Sequence, residues 1–190
     1  MKATAIANAN IALVKYWGKR DPKLILPHNG SISMNCDGLQ AKTTVEFLDQ
    51  DNDEVFINDE ELRKDEKDIL GHLERIRALA GIRKMARVVS ETNFPVAAGL
   101  ASSAAGLASL TLAATKAAGL DLKERELTIL ARQGSGSACR SIPQGFVEWF
   151  RGKGGDGLDS YAQSIAGQDY WPEFRIIACI VSEKKKPVGS

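Results

Sequence analysis

Ala3 to Val14, Ser31 to Cys36 and Lys42 to Phe47 are rich in β-formers or alternate apolar with polar positions, and each predicts a strand. Glu54 to Ile57, with Asn58-Asp59 behind it, predicts a further strand entering a turn. The period then changes. Within Asp65 to Ala80, Ile69, Leu73, Ile76 and Ala80 recur at helical spacing and Gly81 supplies a stop, which predicts an amphipathic surface helix with His72 near its polar face. Met85 to Thr92 reads as a strand. Ala101 to Ala118 carries one charge, Lys116, and predicts a helix buried on most sides. Lys123 to Gln133 predicts a third, more polar helix, and Gly145 to Phe150 and Arg175 to Val181 predict late strands. Strands grouped first, helices later and no regular alternation point to a two-layer α+β domain rather than a doubly wound sheet. There is no internal repeat and no linker long enough to divide the chain.

Length and composition narrow this picture. The 190 residues suit one sizeable domain and leave no room for two full catalytic domains. At 44% hydrophobic and 26% charged, the chain lies far from the composition of disordered proteins. Lys plus Arg number 25 against 24 Asp plus Glu, so the balance offers no general case for a nucleic-acid or membrane partner. The balance is uneven along the chain, since Asp49 to Asp68 carries ten acidic and three basic residues and predicts a solvated face. Ile176 to Val181 is far shorter than the roughly 20 apolar residues that span a bilayer, and the N-terminus lacks a signal-like core, which predicts a cytoplasmic protein. The three cysteines, Cys36, Cys139 and Cys179, form no CxxC pair; Cys36 and Cys179 read as small buried residues.

Three segments carry candidate chemistry. In Asn93-Phe-Pro-Val-Ala-Ala-Gly-Leu-Ala-Ser-Ser-Ala-Ala-Gly106 a strand gives way to a long apolar helix that begins with two serines. Free N–H groups at a helix start can bind an anion, and Ser102 and Ser103 add hydroxyls for phosphate oxygens or Mg2+, although a plain capped helix explains the segment as well. No lysine stands in this loop, so a positive charge must come from elsewhere. Gln133-Gly-Ser-Gly-Ser-Ala-Cys-Arg-Ser141 alternates glycine with serine, letting backbone amides approach a ligand while Arg140 grips a carboxylate or phosphate; a flexible connection is the bland alternative. Lys15-Tyr-Trp-Gly-Lys-Arg-Asp21 gathers three cations around two aromatics and a glycine, either an exposed loop or a cationic lip for a polyanion.

Other patterns fall away. Gly152-Lys-Gly-Gly-Asp-Gly157 fits GxGxxG but lacks the βαβ setting and reads as a hairpin turn. No GxSxG elbow surrounds Ser135 or Ser137, and neither His28 nor His72 has a metal-ligand neighbour at useful spacing.

Taken together, the segments resemble the mevalonate diphosphate decarboxylase family of the GHMP small-molecule kinase superfamily. The resemblance rests on Asn10-Ile-Ala-Leu-Val-Lys-Tyr-Trp-Gly-Lys-Arg-Asp21, Leu26-Pro-His-Asn-Gly-Ser-Ile-Ser33, Phe94-Pro-Val-Ala-Ala-Gly-Leu-Ala-Ser-Ser-Ala104, Gly134-Ser-Gly-Ser-Ala-Cys-Arg-Ser141 and Tyr170-Trp-Pro172, in order over nearly the whole chain. It implies the GHMP kinase N-terminal fold, an α+β two-layer domain related to folds of ribosomal proteins, over residues 1–190, with the family's second domain and its catalytic aspartate outside this chain. It also implies ATP and Mg2+ as cofactors, a phosphorylated mevalonate as small-molecule substrate, no nucleic-acid or membrane partner, and a homodimer.

By the same resemblance Ala98, Gly99, Leu100, Ala101, Ser102 and Ser103 cradle the ATP phosphates, with Ser102 at the metal. Tyr16, Trp17, Gly18 and Lys19 meet Ser135, Gly136, Ser137, Ala138, Cys139 and Arg140 around the substrate. Arg140 clamps its carboxylate, and Lys15 stabilises charge near the 3-hydroxyl. Ser31 and Ser33 are explained equally by ligand contact and by strand packing. The chain departs from the family at Gly189, where a serine is usual, and at Lys67 and Asp68, where some members offer an arginine. A sister GHMP kinase, a mevalonate monophosphate decarboxylase and a non-catalytic nucleic-acid-binding module of related fold are the rival readings.

Overall fold

The computed structural model describes residues 1–61, 67–95 and 102–177. Along the chain run β1 (Lys2–Val14), β2 (Lys19–Asp21), β3 (Leu26–Pro27), β4 (Ser31–Leu48), β5 (Glu54–Ile57), β6 (Glu60–Glu61), α1 (Lys67–Ala80), β7 (Met85–Thr92), α2 (Ser102–Ala117), α3 (Glu124–Gly134), a 3-10 turn (Gly136–Ser141), β8 (Phe146–Trp149) and β9 (Ala162–Ala166). All strands except the β2–β3 hairpin join one seven-stranded sheet. At its centre lies β4, antiparallel to β1 along one edge. Its other edge takes β7 against Ala41–Leu48 and β8 against Ser31–Met34. β5 lies parallel to β7 with β6 outside it, and β9 extends β8.

Alternation decides which sheet face is covered. Ala41, Thr43, Val45 and Phe47 of β4 and Ala86, Val88 and Ser90 of β7 are buried beneath the helices. α2 lies across β1 and β4. Its small side chains Ala104, Ala105, Ala108, Ala113 and Ala114 are inaccessible and allow a close approach to the sheet. A buried hydroxyl cluster sets this approach: Thr43 Oγ1 lies 2.8 Å from Ser90 Oγ and 2.7 Å from Ser109 Oγ. α1 buries Ile69, Leu73 and Ile76 as its spacing predicts. It ends at Gly81, whose φ of +65° suits glycine, with Ile82 N–H donating back to the Arg77 carbonyl at 3.2 Å.

The two-layer α+β architecture expected from the strand and helix grouping is present, with four differences in detail. Ser31–Cys36 and Lys42–Phe47 are not separate strands but parts of β4. The polar stretch between them bends without breaking because Asn93 grips both sides, donating from Nδ2 to Gly38 O at 2.7 Å and accepting from Gln40 N–H at 2.8 Å. His72 does not sit on a polar face; it is fully buried, because it stands three residues after Ile69 and four before Ile76, on the apolar stripe that packs against α2. Thr111 gives its hydroxyl proton to the Leu107 carbonyl, so the imidazole donates from Nε2 to Thr111 Oγ1 at 2.8 Å. Burial, aided by Arg75, lowers the His72 pKa to about 4.

Asp53 departs from the expected solvated acidic face. It forms a nearly inaccessible ion pair with Arg77 at 2.7 Å and accepts from Ala86 N–H. Finally, Arg175–Ile177 carry no regular element, while 178–181, and Cys179 with them, lie outside the described residues. Cys36 is buried as expected. Gly152–Gly157 does lie in the connection of an antiparallel pair, β8 and β9. β9, β6 and the β2–β3 hairpin had no periodic signal, being too short or too polar to show one.

Candidate functional site

Two chain segments converge on the indole of Trp149, which is completely buried at the end of β8. Tyr16, just past β1, packs against it at a tilt of 59° with ring centroids 4.9 Å apart. The Arg140 guanidinium lies 5.7 Å from the same ring. Gly136 approaches so closely that an added Cβ would stand 3.0 Å from the indole and 3.2 Å from Ile25. The ring is thus a floor shared by the aromatic-cationic loop and the Gly-Ser turn.

Arg140 is the most unusual group on this floor. It is 3% exposed, donates from Nη1 to Ser31 Oγ at 2.7 Å, and forms no salt bridge among the described residues. Its buried Nε has no partner, nor have Ser33 Oγ and Asn10 Oδ1 nearby on β4 and β1. Burial pulls its pKa down, opposed by Cys139 and Tyr16, yet an arginine stays charged at any ordinary pH. A buried cation without a carboxylate is costly in isolation and suited to an incoming anion. Tyr16 is shifted upward by burial, with Arg140 opposing, so its phenol keeps its proton and can donate.

Asparagines hold the turn from the sheet. Asn10 donates from Nδ2 to Ser137 O at 3.1 Å and Ser141 Oγ at 2.8 Å, from the irregular part of β1. Asn35 on β4 donates to the carbonyls of Arg140, Pro143 and Gly145. Asn29 holds the other loop: it accepts from Trp17 N–H at 3.1 Å and donates to Lys15 O at 2.9 Å. Sequence reasoning gave no role to any of the three or to Trp149, although Asn10 and Asn29 stand in quoted motifs. For Asn10 and Asn35 the available signal was asparagine within strand-like stretches, where its propensity is poor and a local hydrogen-bonding task is the usual reason.

The expected site residues divide into groups. Tyr16, Arg140 and Ser31 meet directly on or beside Trp149, and Ser135 and Ser137 are half-buried on the same turn. Ser31 accepts a hydrogen bond from Arg140, so its hydroxyl does more than pack within a strand. Lys15, Trp17, Gly18 and Lys19 are exposed on the loop, Trp17 at 76%. Ala138 and Cys139 are inaccessible; the thiol donates to Gly136 O at 3.0 Å, and burial pushes its pKa up to about 12, so it remains a packed thiol. Ser102 and Ser103 open α2, half-buried and exposed, while Ala98, Gly99, Leu100 and Ala101 lie outside the described residues. No group of three acidic, histidine or cysteine side chains that could hold a metal occurs among the described residues. A magnesium ion at α2 therefore fits only as the partner of phosphate oxygens, a serine hydroxyl and water, which is its habit. No described helix is long and apolar enough to cross a membrane.

The sheet, its helical layer and the arginine-bearing turn define an α+β domain of the GHMP kinase N-terminal class. More particularly, the family model described as the Diphosphomevalonate decarboxylase-like N-terminal domain matches residues 7–162, and the chain belongs to this family. It is 43% identical to the diphosphomevalonate decarboxylase of Bos taurus over 98% of its own length and 50% of the relative's. The solved mevalonate diphosphate decarboxylase of Enterococcus faecalis superposes with a TM-score of 0.83 at 40% identity, covering 87% of this chain and 52% of that one. A structure of MDDEF in complex with MVAPP, AMPPCP and magnesium gives 0.82 at 40% identity, covering 87% and 51%. The chain spans about half the length of the curated relatives it matches.

Proposed function

We propose that this chain is the N-terminal, ATP- and substrate-binding part of a diphosphomevalonate decarboxylase, with a second GHMP domain supplying the catalytic aspartate. The overall reaction converts ATP and mevalonate 5-diphosphate into ADP, phosphate, CO2 and isopentenyl diphosphate. The carrying observation is Arg140, a buried guanidinium with no carboxylate partner beside a proton-bearing Tyr16.

Each group then has a task set by its chemistry. Arg140 takes the substrate carboxylate in its planar fork and aligns it with the C–O bond that breaks once the 3-hydroxyl is phosphorylated. Tyr16 and Lys19, with Ser135 and Ser137, hold the diphosphate, and Trp17 and Gly18 border it from the same exposed segment. Gly136, Ala138 and Cys139 serve the site through backbone and packing, since the two latter side chains are inaccessible. Lys15 places positive charge near the 3-hydroxyl. Residues 98–101 and the α2 start, with Ser102 and Ser103, cradle the ATP phosphates, and positioning plus charge stabilisation carry most of a phosphoryl transfer. Mg2+ would be held at Ser102 and by the ATP phosphates, where it neutralises their charge.

Membership of the family supports these assignments, as does the structural likeness to MDDEF in complex with MVAPP, AMPPCP and magnesium. The same family resemblance supports a cytoplasmic homodimer that binds neither membrane nor nucleic acid. The test is calorimetric titration of the chain with mevalonate 5-diphosphate, mevalonate 5-phosphate and ATP–Mg2+. Preference for the diphosphate, weakened by Lys19→Ala without loss of ATP binding, is expected; a preference for the monophosphate reassigns the substrate, and no binding of either overturns the reading.

A further inference from the structure

Arg132 in α3 has a fully buried guanidinium and, like Arg140, no salt bridge among the described residues. All its hydrogen bonds run to backbone carbonyls of two different loops. Nε donates to Leu24 O at 3.0 Å, in the β2–β3 connection. Nη1 donates to Gly157 O at 2.9 Å and to Ser160 O, both in the β8–β9 connection. Gly157, at φ +73°, is where the second loop presses closest; an added Cβ there would stand 2.7 Å from Arg132 Nη2.

The two loops carry the two halves of the site's floor. The hairpin that Leu24 belongs to begins at Lys19, and its Ile25 packs on Gly136. On the other side, Ser160 Oγ accepts from the Trp149 indole N–H at 3.1 Å and donates to Phe150 O at 3.0 Å. Trp149 in turn bears Tyr16 and Arg140. A continuous set of contacts thus joins the Arg132 fork to Lys19 by one prong, and to Tyr16 and Arg140 by the other.

We propose that Arg132 is a positioning residue for diphosphate binding, fixing the spacing between the Lys19 hairpin and the Trp149 floor through its two-loop fork. The role rests on the reading that Tyr16, Lys19 and the Gly-Ser turn hold the substrate diphosphate. Only a guanidinium can do this. A lysine keeps the charge but has one nitrogen on a flexible stem, and it cannot reach both loops in a fixed geometry.

The test compares Arg132→Lys with the parent chain, by thermal melting and by calorimetric titration with mevalonate 5-diphosphate and, separately, ATP–Mg2+. At a temperature where both are folded, the variant should bind the diphosphate about 10- to 100-fold more weakly, the scale on which small misplacements by remote residues act, and ATP within about twofold. A merely structural arginine would lower melting temperature and both affinities together, and that result, or unchanged diphosphate affinity, overturns the role. Should Arg132→Lys fail to fold, Gly157→Ala decides: its Cβ would stand 2.7 Å from Arg132 Nη2 and displace the fork while the guanidinium itself is kept. The same selective loss supports the role, and parent-like diphosphate affinity overturns it. A parent chain that binds ATP but no diphosphate overturns the functional reading itself, and the positioning role falls with it.

Discussion

Replacing Arg140 by methionine separates a ligand-binding cation from a structural one. Methionine keeps most of the apolar bulk beneath Trp149 and removes the charge. On the side of loss, the charge-assisted bond to Ser31 contributes about 1.5–3 kcal/mol and the contact with the indole about 0.5–2 kcal/mol. On the side of gain, a buried cation with an orphaned Nε is relieved of a desolvation cost of about several kcal/mol. The two sides roughly cancel, so the ligand-free chain should melt within a few degrees of the parent or above it. Binding behaves differently. Loss of one partner of a buried charge pair costs about 2–5 kcal/mol, or roughly 30-fold and upward in affinity for mevalonate 5-diphosphate. Differential scanning calorimetry and isothermal titration of the same preparation measure both. A variant that binds like the parent while melting about 8 °C lower or more, roughly 2 kcal/mol or more for a chain of this size, would show that the guanidinium is there for the fold, and the carboxylate clamp would be wrong.

Other consequences concern the frame around the site. His72 titrates at about 4 when folded against an ordinary value near 6.5, so below that ordinary value the unfolded chain binds more protons and stability falls as pH drops. Between pH 7 and pH 4 this removes about 3 kcal/mol, and urea melts of His72→Gln should show a flatter pH dependence; parallel slopes would refute the assignment. Gly134→Ala places a Cβ 2.7 Å from Leu107 Cδ1 and 2.9 Å from His72 Nδ1, inside packed side chains, and should cost about 1–3 kcal/mol in denaturant midpoint. Asp53→Ala leaves the Arg77 guanidinium with Glu74 as its one remaining ion-pair partner at 2.7 Å and strands the Ala86 N–H, so a loss of about 1–3 kcal/mol is expected with substrate affinity intact. An unchanged melting curve for Asp53→Ala would mean that water replaces both bonds.

Period and punctuation in the sequence determined the elements: the spacing of Ile69, Leu73 and Ile76 and the stop at Gly81 locate α1, and the near absence of charge in α2 predicts its burial. The segments that hold Tyr16 and Arg140 were also legible, because glycine, serine and cationic clusters are local patterns. Tertiary structure decided what those patterns do. Nothing local tells Ser31–Cys36 and Lys42–Phe47 to form one strand, because the joint is held by Asn93, more than 50 residues away. Helix periodicity does put His72 on the stripe of Ile69, Leu73 and Ile76, but nothing local supplies its hydrogen-bond partner, which is Thr111 of α2. The site floor is the clearest case. Trp149 and Arg132 carry no motif of their own, Asn10 merely opens one, and their roles arise where strands and loops distant in sequence meet and leave buried donors to be satisfied.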